Sequence, residues 1–410
     1  MARSSNKAGA TASATQVKSG GTQFDLPPYE VVALVLQGGG ALGAYQAGVY
    51  QGLTEAGIKL NYLSGISIGA LNIAIIAGNA PGRRIERLTE FWETICEPNF
   101  GCPVNAFAEQ SFFDLNDATR RSMNALSAAS AIVNGQKGFF SPRFPPASSW
   151  VSGSPGAASY YDTSALKDTL ERLCDFDRIN STQQHVSVGA VHVSTGNLVY
   201  FDNTRTKLQA EHFMASGALP PAFPAVEING EYYWDGGLVS NTPLSHVLES
   251  RPFKDTLAFQ VDLWSARGRV PTNMSEVSDR MKAIQYSSRT RMITDQVRLM
   301  QNMRHLLQHM QESLPPEKRG KGPYSKIAED LACGKRYNVV HLIYHGQPYE
   351  KQYRDFQFGL ASMRNRWASG LKDIRDTLSD PARLSMPDSN TGFVTHDVHR
   401  DRIDESMKAD

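Results

Sequence analysis

Ser67 is the side chain whose type and spacing give the clearest potential for chemistry, because Gly65 and Gly69 flank it in a Gly-x-Ser-x-Gly pattern. Residues 59–66 are predicted to form a strand and residues 68–78 a buried helix, so the serine lies on the turn between them. Such a turn presents the hydroxyl beside the N–H groups that begin the helix, where negative charge is stabilised. The pattern predicts a serine nucleophile. An ordinary glycine-bounded turn is the alternative, since five residues with three fixed are a weak signal alone.

Three consecutive glycines, Gly38, Gly39 and Gly40, follow an apolar run at residues 31–36 that is typical of a buried strand. With Gly43 they match the Gly-x-Gly-x-x-Gly pattern of dinucleotide-binding loops, but the next strand ends without the acidic residue that this function requires. A P-loop is excluded because no Gly-Lys-Ser/Thr follows. Glycines also leave backbone N–H groups uncovered, as an oxyanion hole requires. We favour the oxyanion hole and keep a dinucleotide-binding oxidoreductase as an alternative.

Asp235 is the candidate general base, and it precedes Gly236 and Gly237 at the end of a predicted hairpin. Asp-Gly is also a common turn dipeptide, so an ordinary turn is the competing interpretation. An aspartate acts as a base only where dehydration raises its pKa. The rival mechanism is a triad with His345, because nucleophile, acid and histidine would follow one another in the chain order of α/β-hydrolases.

Four segments that contain these motifs resemble the bacterial form of the patatin-like phospholipases. They are LVLQGGGALGAYQAGV at residues 34–49, GISIGALN at 65–72, ASGALPPAFP at 215–224 and WDGGLVSNTPL at 234–244. The resemblance covers about residues 30–245, and the order, spacing and context of the motifs all agree with it.

The resemblance implies a Ser–Asp dyad in which Ser67 is the nucleophile and Asp235 the base, with the amides of residues 38–40 as the oxyanion hole. It implies that acyl esters of lipids are hydrolysed through an acyl-enzyme, without a metal or other cofactor. The expected reaction is of the phospholipase A or lysophospholipase type. Acylglycerols or short polyester oligomers are alternative substrates, and a catalytically silent lipid-binding or scaffold module is the alternative of another class.

The order of elements predicts an α/β fold with a three-layer α/β/α core, a mostly parallel central sheet and a helical C-terminal extension. We expect a disordered tail at residues 1–27, a catalytic domain at 28–250 with a lid-like insert at 97–160, and a mostly helical extension at 251–410. The predicted elements of the extension are strands at 257–263 and 338–344 and helices at 277–314 and 356–378, and its last twenty-odd residues are expected to be loosely ordered.

The predicted helix at residues 277–314 is rich in methionine and arginine. Its apolar residues recur at steps close to three and four, which predicts a single apolar stripe of Met281, Ile284, Ile293, Val297, Met300, Leu307 and Met310. We favour packing of this stripe on the core over contact with an anionic membrane. For the aromatic pairs of the insert, Phe112-Phe113 and Phe139-Phe140, we likewise favour local packing over membrane contact.

The amino-acid composition limits the class of protein to which the chain can belong. The chain has 410 residues, of which 41% are hydrophobic and 20% charged, and its formal net charge is +1. That balance permits a large core and gives no electrostatic indication of nucleic-acid binding. The four cysteines, Cys96, Cys102, Cys174 and Cys333, form no zinc-type spacing and suit a reducing compartment. With no secretory signal and no apolar run of about 20 residues, we expect a cytoplasmic protein whose membrane contact is peripheral.

Overall fold

A computed structural model describes residues 24–97, 116–146, 153, 155, 158–346, 350 and 353–398. The strands in this part of the chain are β1 (Val31–Leu36), β2 (Tyr62–Gly65), β3 (Ser141–Pro142), β4 (Tyr161–Asp162), β5 (His185–His192), β6 (Leu198–Asp202), β7 (Val226–Ile228), β8 (Glu231–Asp235), β9 (Thr256–Asp262), β10 (Tyr337–Ile343) and β11 (Phe393–Asp397). The α-helices are α1 (Ala44–Glu55), α2 (Ile68–Ala77), α3 (Arg84–Cys96), α4 (Asp117–Asn134), α5 (Ser164–Leu173), α6 (Phe176–Asn180), α7 (Ala210–Ser216), α8 (Leu244–Leu248), α9 (Met274–Ser313), α10 (Ser325–Leu331) and α11 (Leu360–Leu378).

The central sheet has nine described strands, in the order β11-β10-β9-β1-β2-β5-β8-β7, with β6 paired to β5. The six strands from β11 to β5 are parallel, and β6, β7 and β8 pair antiparallel. β1 lies inside the parallel part because its apolar residues are covered on both faces. The predicted mostly parallel sheet is confirmed.

Helices cover both faces of this sheet, as the alternation of side chains along β1 shows. Leu34 and Leu36 point into a core formed with α1, α2, α3 and α11. Ala33 and Val35 point the other way, into a core formed with α8 and α9. Since each face of a sheet must bury its apolar side chains, two helical layers result, and the predicted α/β/α architecture is confirmed.

The residues after 250 complete this same core. β9 pairs with β1, and β10 and β11 extend the sheet beyond it. α11 packs so closely on α1 that a Cβ on Gly48 would lie 1.9 Å from the carbonyl oxygen of Trp367. The predicted helical content is confirmed, whereas the expectation of loose order at the chain end is wrong for residues 393–397, which form β11. The proposed division at residue 250 stays a prediction.

The predicted single stripe on the long helix is wrong, because its members lie on different sides of α9. Val297 is 2% exposed and packs against the sheet, whereas Met281 is 62% exposed and Met310 58%. Steps of three and four occur on every side of a long helix, so spacing alone does not separate two apolar rows. No helix in the described ranges is long and apolar enough to cross a bilayer.

The insert contains a helix at Asp117–Asn134, α4. The predicted hairpin that leads to Asp235 is β7 and β8, and its turn residues Asn229 and Gly230 both have positive φ. Phe112-Phe113 and residues 1–23 of the predicted tail lie outside the described residues.

Candidate active site

Ser67 lies on the tight turn between β2 and α2, with φ of 54° and ψ of −128°. The flanking glycines are required by space: a Cβ on Gly65 would lie 2.7 Å from the backbone of Gly69, and a Cβ on Gly69 would lie 2.5 Å from the carbonyl oxygen of Leu36. The Ser67 N–H donates to the carbonyl oxygen (3.1 Å) and the Oγ (3.0 Å) of Ser216. The close packing of the two glycines and the hydrogen bonds to Ser216 thus hold Ser67 at its positive φ. Its hydroxyl faces the cleft beside α2.

Asp235 ends β8 and is 2% exposed. It reaches the serine because β5 lies between β2 and β8, with Ala190 opposite Asp235. Its Oδ1 accepts the Gly237 N–H at 2.7 Å, and its carboxylate lines the same cleft as the Ser67 side chain. Desolvation by burial raises the pKa of Asp235 to about 7, against the lowering effects of the Gly237 N–H and of the Ser67 hydroxyl. A carboxylate with this pKa is suited to act as a base near neutral pH.

The glycine triplet passes directly beside Ser67, since a Cβ on Gly38 would lie 2.9 Å from the serine Cβ. The Gly38 N–H already donates to the carbonyl oxygen of Asn241 at 3.3 Å. Within the described residues, the N–H groups of Gly39 and Gly40 have no acceptor. Gly40 has φ of 55°, and a Cβ there would lie 2.4 Å from the carbonyl oxygen of Asp355. The loop that passes beside Ser67 therefore carries two unpaired amides, and both glycines line the same cleft as the serine.

Asn241 and Trp264 fix the triplet, and neither was assigned a role from sequence. Both donate to the carbonyl oxygen of Gly38, the Asn241 Nδ2 at 2.9 Å and the Trp264 Nε1 at 3.1 Å. The buried side chain of Gln37 ties the same loop to β9, because its Oε1 accepts the N–H groups of Leu263 (2.7 Å) and Trp264 (3.0 Å). Asn241 lies inside one of the motif segments, which is the only signal that sequence offered for it.

The cleft in front of Ser67 has an empty volume of about 660 Å³ and a mostly apolar lining. Aromatic side chains from separate segments form its wall: Phe139, Phe140, Phe223, Phe356 and Phe358, with Tyr286 and Trp264 alongside. Phe139 and Phe140 are buried and contact each other and Phe223, with ring centroids 5.2–5.7 Å apart. The predicted local packing of this pair is confirmed, and the pair also lines the cleft. We refer to Phe139, Phe140, Phe223 and Phe358 as the aromatic wall.

His345 lies elsewhere. It follows β10 and lines a second cavity with Asp279, Glu350 and Arg354, and none of these residues lines the cleft of Ser67. Among the described residues, no histidine lines that cleft. The described ranges also contain no group of three or more His, Cys, Asp or Glu side chains placed to hold a metal ion.

Comparison with solved structures gives distant matches. VipD from Legionella pneumophila is 14% identical, with 93% of this chain and 74% of that chain covered and a TM-score of 0.33. Human GIVD cytosolic phospholipase A2 is 12% identical, with 86% of this chain and 60% of that chain covered and a TM-score of 0.34. Similarity at this level carries no argument about function.

Comparison with protein sequences is more specific. A segment of 49 residues is 53% identical to lysophospholipase nte1 of Aspergillus terreus, which is 12% of this chain and 3% of that protein. Residues 284–390 match a family model described as patatin phospholipase. Residues 34–248, just over half of the chain, match the model of the patatin-like phospholipases and contain Ser67, Asp235 and the glycine triplet. The chain therefore belongs to the patatin-like phospholipase family.

Proposed function

We propose that this protein hydrolyses acyl esters of lipids with a dyad of Ser67 and Asp235. One observation carries the proposal: a buried carboxylate whose pKa is about 7 shares a cleft with a serine held on a tight turn, and the serine side chain influences that pKa. The N–H groups of Gly39 and Gly40, in the loop that passes beside that serine, have no acceptor among the described residues. Candidates for the nucleophile, the base and the oxyanion donors thus line one cleft, which supports the proposal.

In the first step, the Ser67 Oγ attacks the ester carbonyl carbon while its proton passes to Asp235. The carbonyl oxygen becomes an oxyanion that accepts hydrogen bonds from Gly39 and Gly40. When the tetrahedral intermediate collapses, the bond to the alcohol breaks and the alcohol takes the proton from Asp235. An acyl-enzyme remains on Ser67.

In the second step, water attacks the acyl-enzyme and gives its proton to Asp235. Collapse of the second intermediate releases the carboxylic acid and returns the proton to the Ser67 Oγ.

The Gly38 N–H already donates to the carbonyl oxygen of Asn241, so we assign Gly38 a supporting role. In that role it shapes the loop that presents the amides of Gly39 and Gly40.

The aromatic wall favours substrates with an aliphatic acyl chain, because burying such a chain there removes apolar surface from water. We propose phospholipids or lysophospholipids as the substrates, in line with the family. Acylglycerols and short polyester oligomers would use the same wall and differ in the leaving alcohol.

Replacement of Ser67 by alanine tests the proposal. We expect Ser67→Ala to lower hydrolysis of a p-nitrophenyl ester and of a phospholipid by at least about 10⁴-fold, because no acyl-enzyme can form. Ser379→Ala, at an exposed serine after α11, is the matched control and should behave as wild type. Mass spectrometry of the wild type treated with a fluorophosphonate should find the adduct on Ser67. Equal turnover by Ser67→Ala and wild type would show a catalytically silent module instead.

A further inference from the structure

The helix α9 carries an exposed apolar row that the catalytic proposal does not use. Its members are 41–77% exposed, and no described residue covers them: Met274, Val277, Met281, Ile284, Met292, Leu299, Met303, Leu306, Met310 and, just past the helix end, Leu314. We call this set the α9 row. Isolated exposed apolar residues are ordinary, but a continuous set on one helix marks an interaction surface.

The period of the α9 row indicates the shape of its partner. Met274, Met292 and Met310 are each eighteen residues apart, which is five turns at about 3.6 residues per turn, so they lie on one straight line. The seam of a coiled coil repeats every 3.5 residues, and over this length it would diverge from the row by roughly 100°. A straight row fits a flat partner better than the helix of a second copy.

The charges at the two ends of the α9 row indicate an anionic partner. Arg267 and Arg269 precede α9, and Lys318 and Lys321 follow it, and all four side chains are exposed. None of the four pairs with a carboxylate among the described residues. Asp295 lies on the same side of α9 as the row and is paired with Arg298 at 3.0 Å, and one exposed carboxylate, Glu317, adjoins Lys318. Apolar side chains with basic neighbours are typical of helices that lie on anionic lipid.

The helix that carries the α9 row also contributes to the cleft, from its opposite side. Tyr286, on the same helix, lines the cleft and packs against Trp264 with ring centroids 5.4 Å apart. Lys282, beside Met281, pairs at 2.8 Å with Asp355, another lining residue. One helix therefore joins the α9 row to the lining of the cleft.

We propose that the α9 row docks flat on an anionic phospholipid bilayer. That this contact delivers substrate rests on the proposed function, but the docking itself does not depend on catalysis. The methionine-rich composition suits the role, because flexible thioether side chains adapt to an irregular surface.

Vesicle binding tests the proposal in the full chain with Ser67→Ala, which removes hydrolysis from the measurement. The probe is phosphatidylcholine vesicles that contain phosphatidylglycerol, followed by co-sedimentation. We expect Met292→Asp with Met303→Asp to weaken binding by at least about tenfold, since two apolar contacts are lost and two negative charges added. Leu126→Asp with Val133→Asp is the matched control, at two exposed apolar residues of α4, and should bind like its parent.

Three results would overturn the proposal: no binding by the parent protein, equal losses in the two double variants, or a parent dimer in sedimentation analysis that the α9 variant dissociates. The last would identify a second copy as the partner. Binding to phosphatidylcholine alone should be weaker, and binding to the anionic vesicles should fall with added salt. With Ser67 intact, the α9 variant should hydrolyse a soluble p-nitrophenyl ester at the wild-type rate, which checks its fold and separates failure of docking from failure of catalysis.

Discussion

The two sides of the cleft are built by different means. On one side, which we propose to be catalytic and call the catalytic side, backbone turns place Ser67 and Asp235, and Gly38, Gly65 and Gly69 have no room for a Cβ. On the opposite side, the aromatic wall consists of side chains from the insert, from the loop after α7 and from the segment before α11. The first side depends on tight backbone packing, and the second on burial of large rings.

We therefore expect the two sides to control different properties: the catalytic side sets the rate for every ester, and the aromatic wall sets the preference for acyl-chain length. A change on the catalytic side should affect every ester alike, because the acyl carbonyl is common to all of them. A change in the aromatic wall should affect long acyl chains more than short ones, because only long chains reach it. The substitutions below test this division, beginning with the largest expected effect.

Asp235→Asn should reduce kcat by at least about 10³-fold for both acetyl and long-chain p-nitrophenyl esters, since the amide cannot accept the serine proton. Initial rates at pH 8 measure this. Asp202→Asn is the control at another buried aspartate: burial raises its pKa, but hydrogen bonds from His185 and Thr204 outweigh burial and lower that pKa to about 2. A residual rate above one tenth of wild type for Asp235→Asn would refute the role of the base.

The same substitution should stabilise the protein. The pKa of Asp235 in the folded state lies above its ordinary value of 3.8, so ionised Asp235 opposes folding at and above neutral pH. Asp235→Asn removes this cost, with an upper limit of about 4 kcal/mol in the free energy of unfolding at pH 8. The gain in Tm should shrink as the pH falls from 7 towards 4. Asp202→Asn should lower Tm instead, because its pKa is shifted the other way.

Gly40→Ala should lower kcat by about 10²-fold with a smaller change in KM, because a Cβ 2.4 Å from the Asp355 carbonyl oxygen must displace the amide that faces the oxyanion. Gly82→Ala is the matched control, since no atom lies within 4 Å of its Cβ position. The effect should be equal for short and long acyl chains. A selective loss of activity towards long-chain esters would mean that Gly40 affects binding of the acyl chain rather than stabilisation of the oxyanion.

The pH dependence of kcat/KM should report the ionisation of Asp235 directly. Because Asp235 must be ionised and its pKa is about 7, kcat/KM should rise about tenfold per pH unit below 7 and level off above it. The midpoint should be the same for acetyl and decanoyl esters. A midpoint near pH 4 would mean that water reaches Asp235 in solution and that burial does not raise its pKa.

The catalytic side could be predicted from sequence because its parts are local. Ser67 and its glycines occupy one turn, and a Cβ at any of these glycine positions would clash, so the residue types reveal the geometry. The pairing of Ser67 with Asp235 needed the family resemblance, since their proximity depends on β5 lying between β2 and β8. That the Gly38 N–H is already taken by the carbonyl oxygen of Asn241 could not be predicted, because a backbone hydrogen bond leaves no mark on residue type.

The aromatic wall and parts of the fold were missed for a related reason. Phe139 and Phe358 are far apart in the chain, and no local pattern indicates that their rings meet at a centroid distance of 5.7 Å. β11 was missed because Thr395, His396 and Asp397 are polar, and an edge strand needs less apolar character than the buried β1. Local spacing on α9 likewise could not separate the side that packs on the sheet from the exposed α9 row.

Phe223→Ala should lower kcat/KM about tenfold for a decanoyl ester and leave an acetyl ester nearly unchanged, because the lost ring removes contact area for the chain. Phe201→Ala is the matched control: this half-buried ring packs on His212 and Tyr233 and does not line the cleft. Rates across a series of chain lengths measure the effect. Equal losses for both esters would mean that the wall positions the catalytic side instead of binding the chain.

His345→Ala is expected to have the smallest effect, with kcat within about threefold of wild type, because His345 lines a different cavity from Ser67. A triad would require the imidazole between the serine and the aspartate, whereas Ser67 and Asp235 line one cleft together and no described histidine lines it. The measurement is kcat for a soluble ester across the pH range, because loss of a catalytic imidazole would also move the midpoint of the profile. A fall of several orders of magnitude would replace the dyad by a triad. An unchanged rate and midpoint would leave the carboxylate as the group that takes the serine proton.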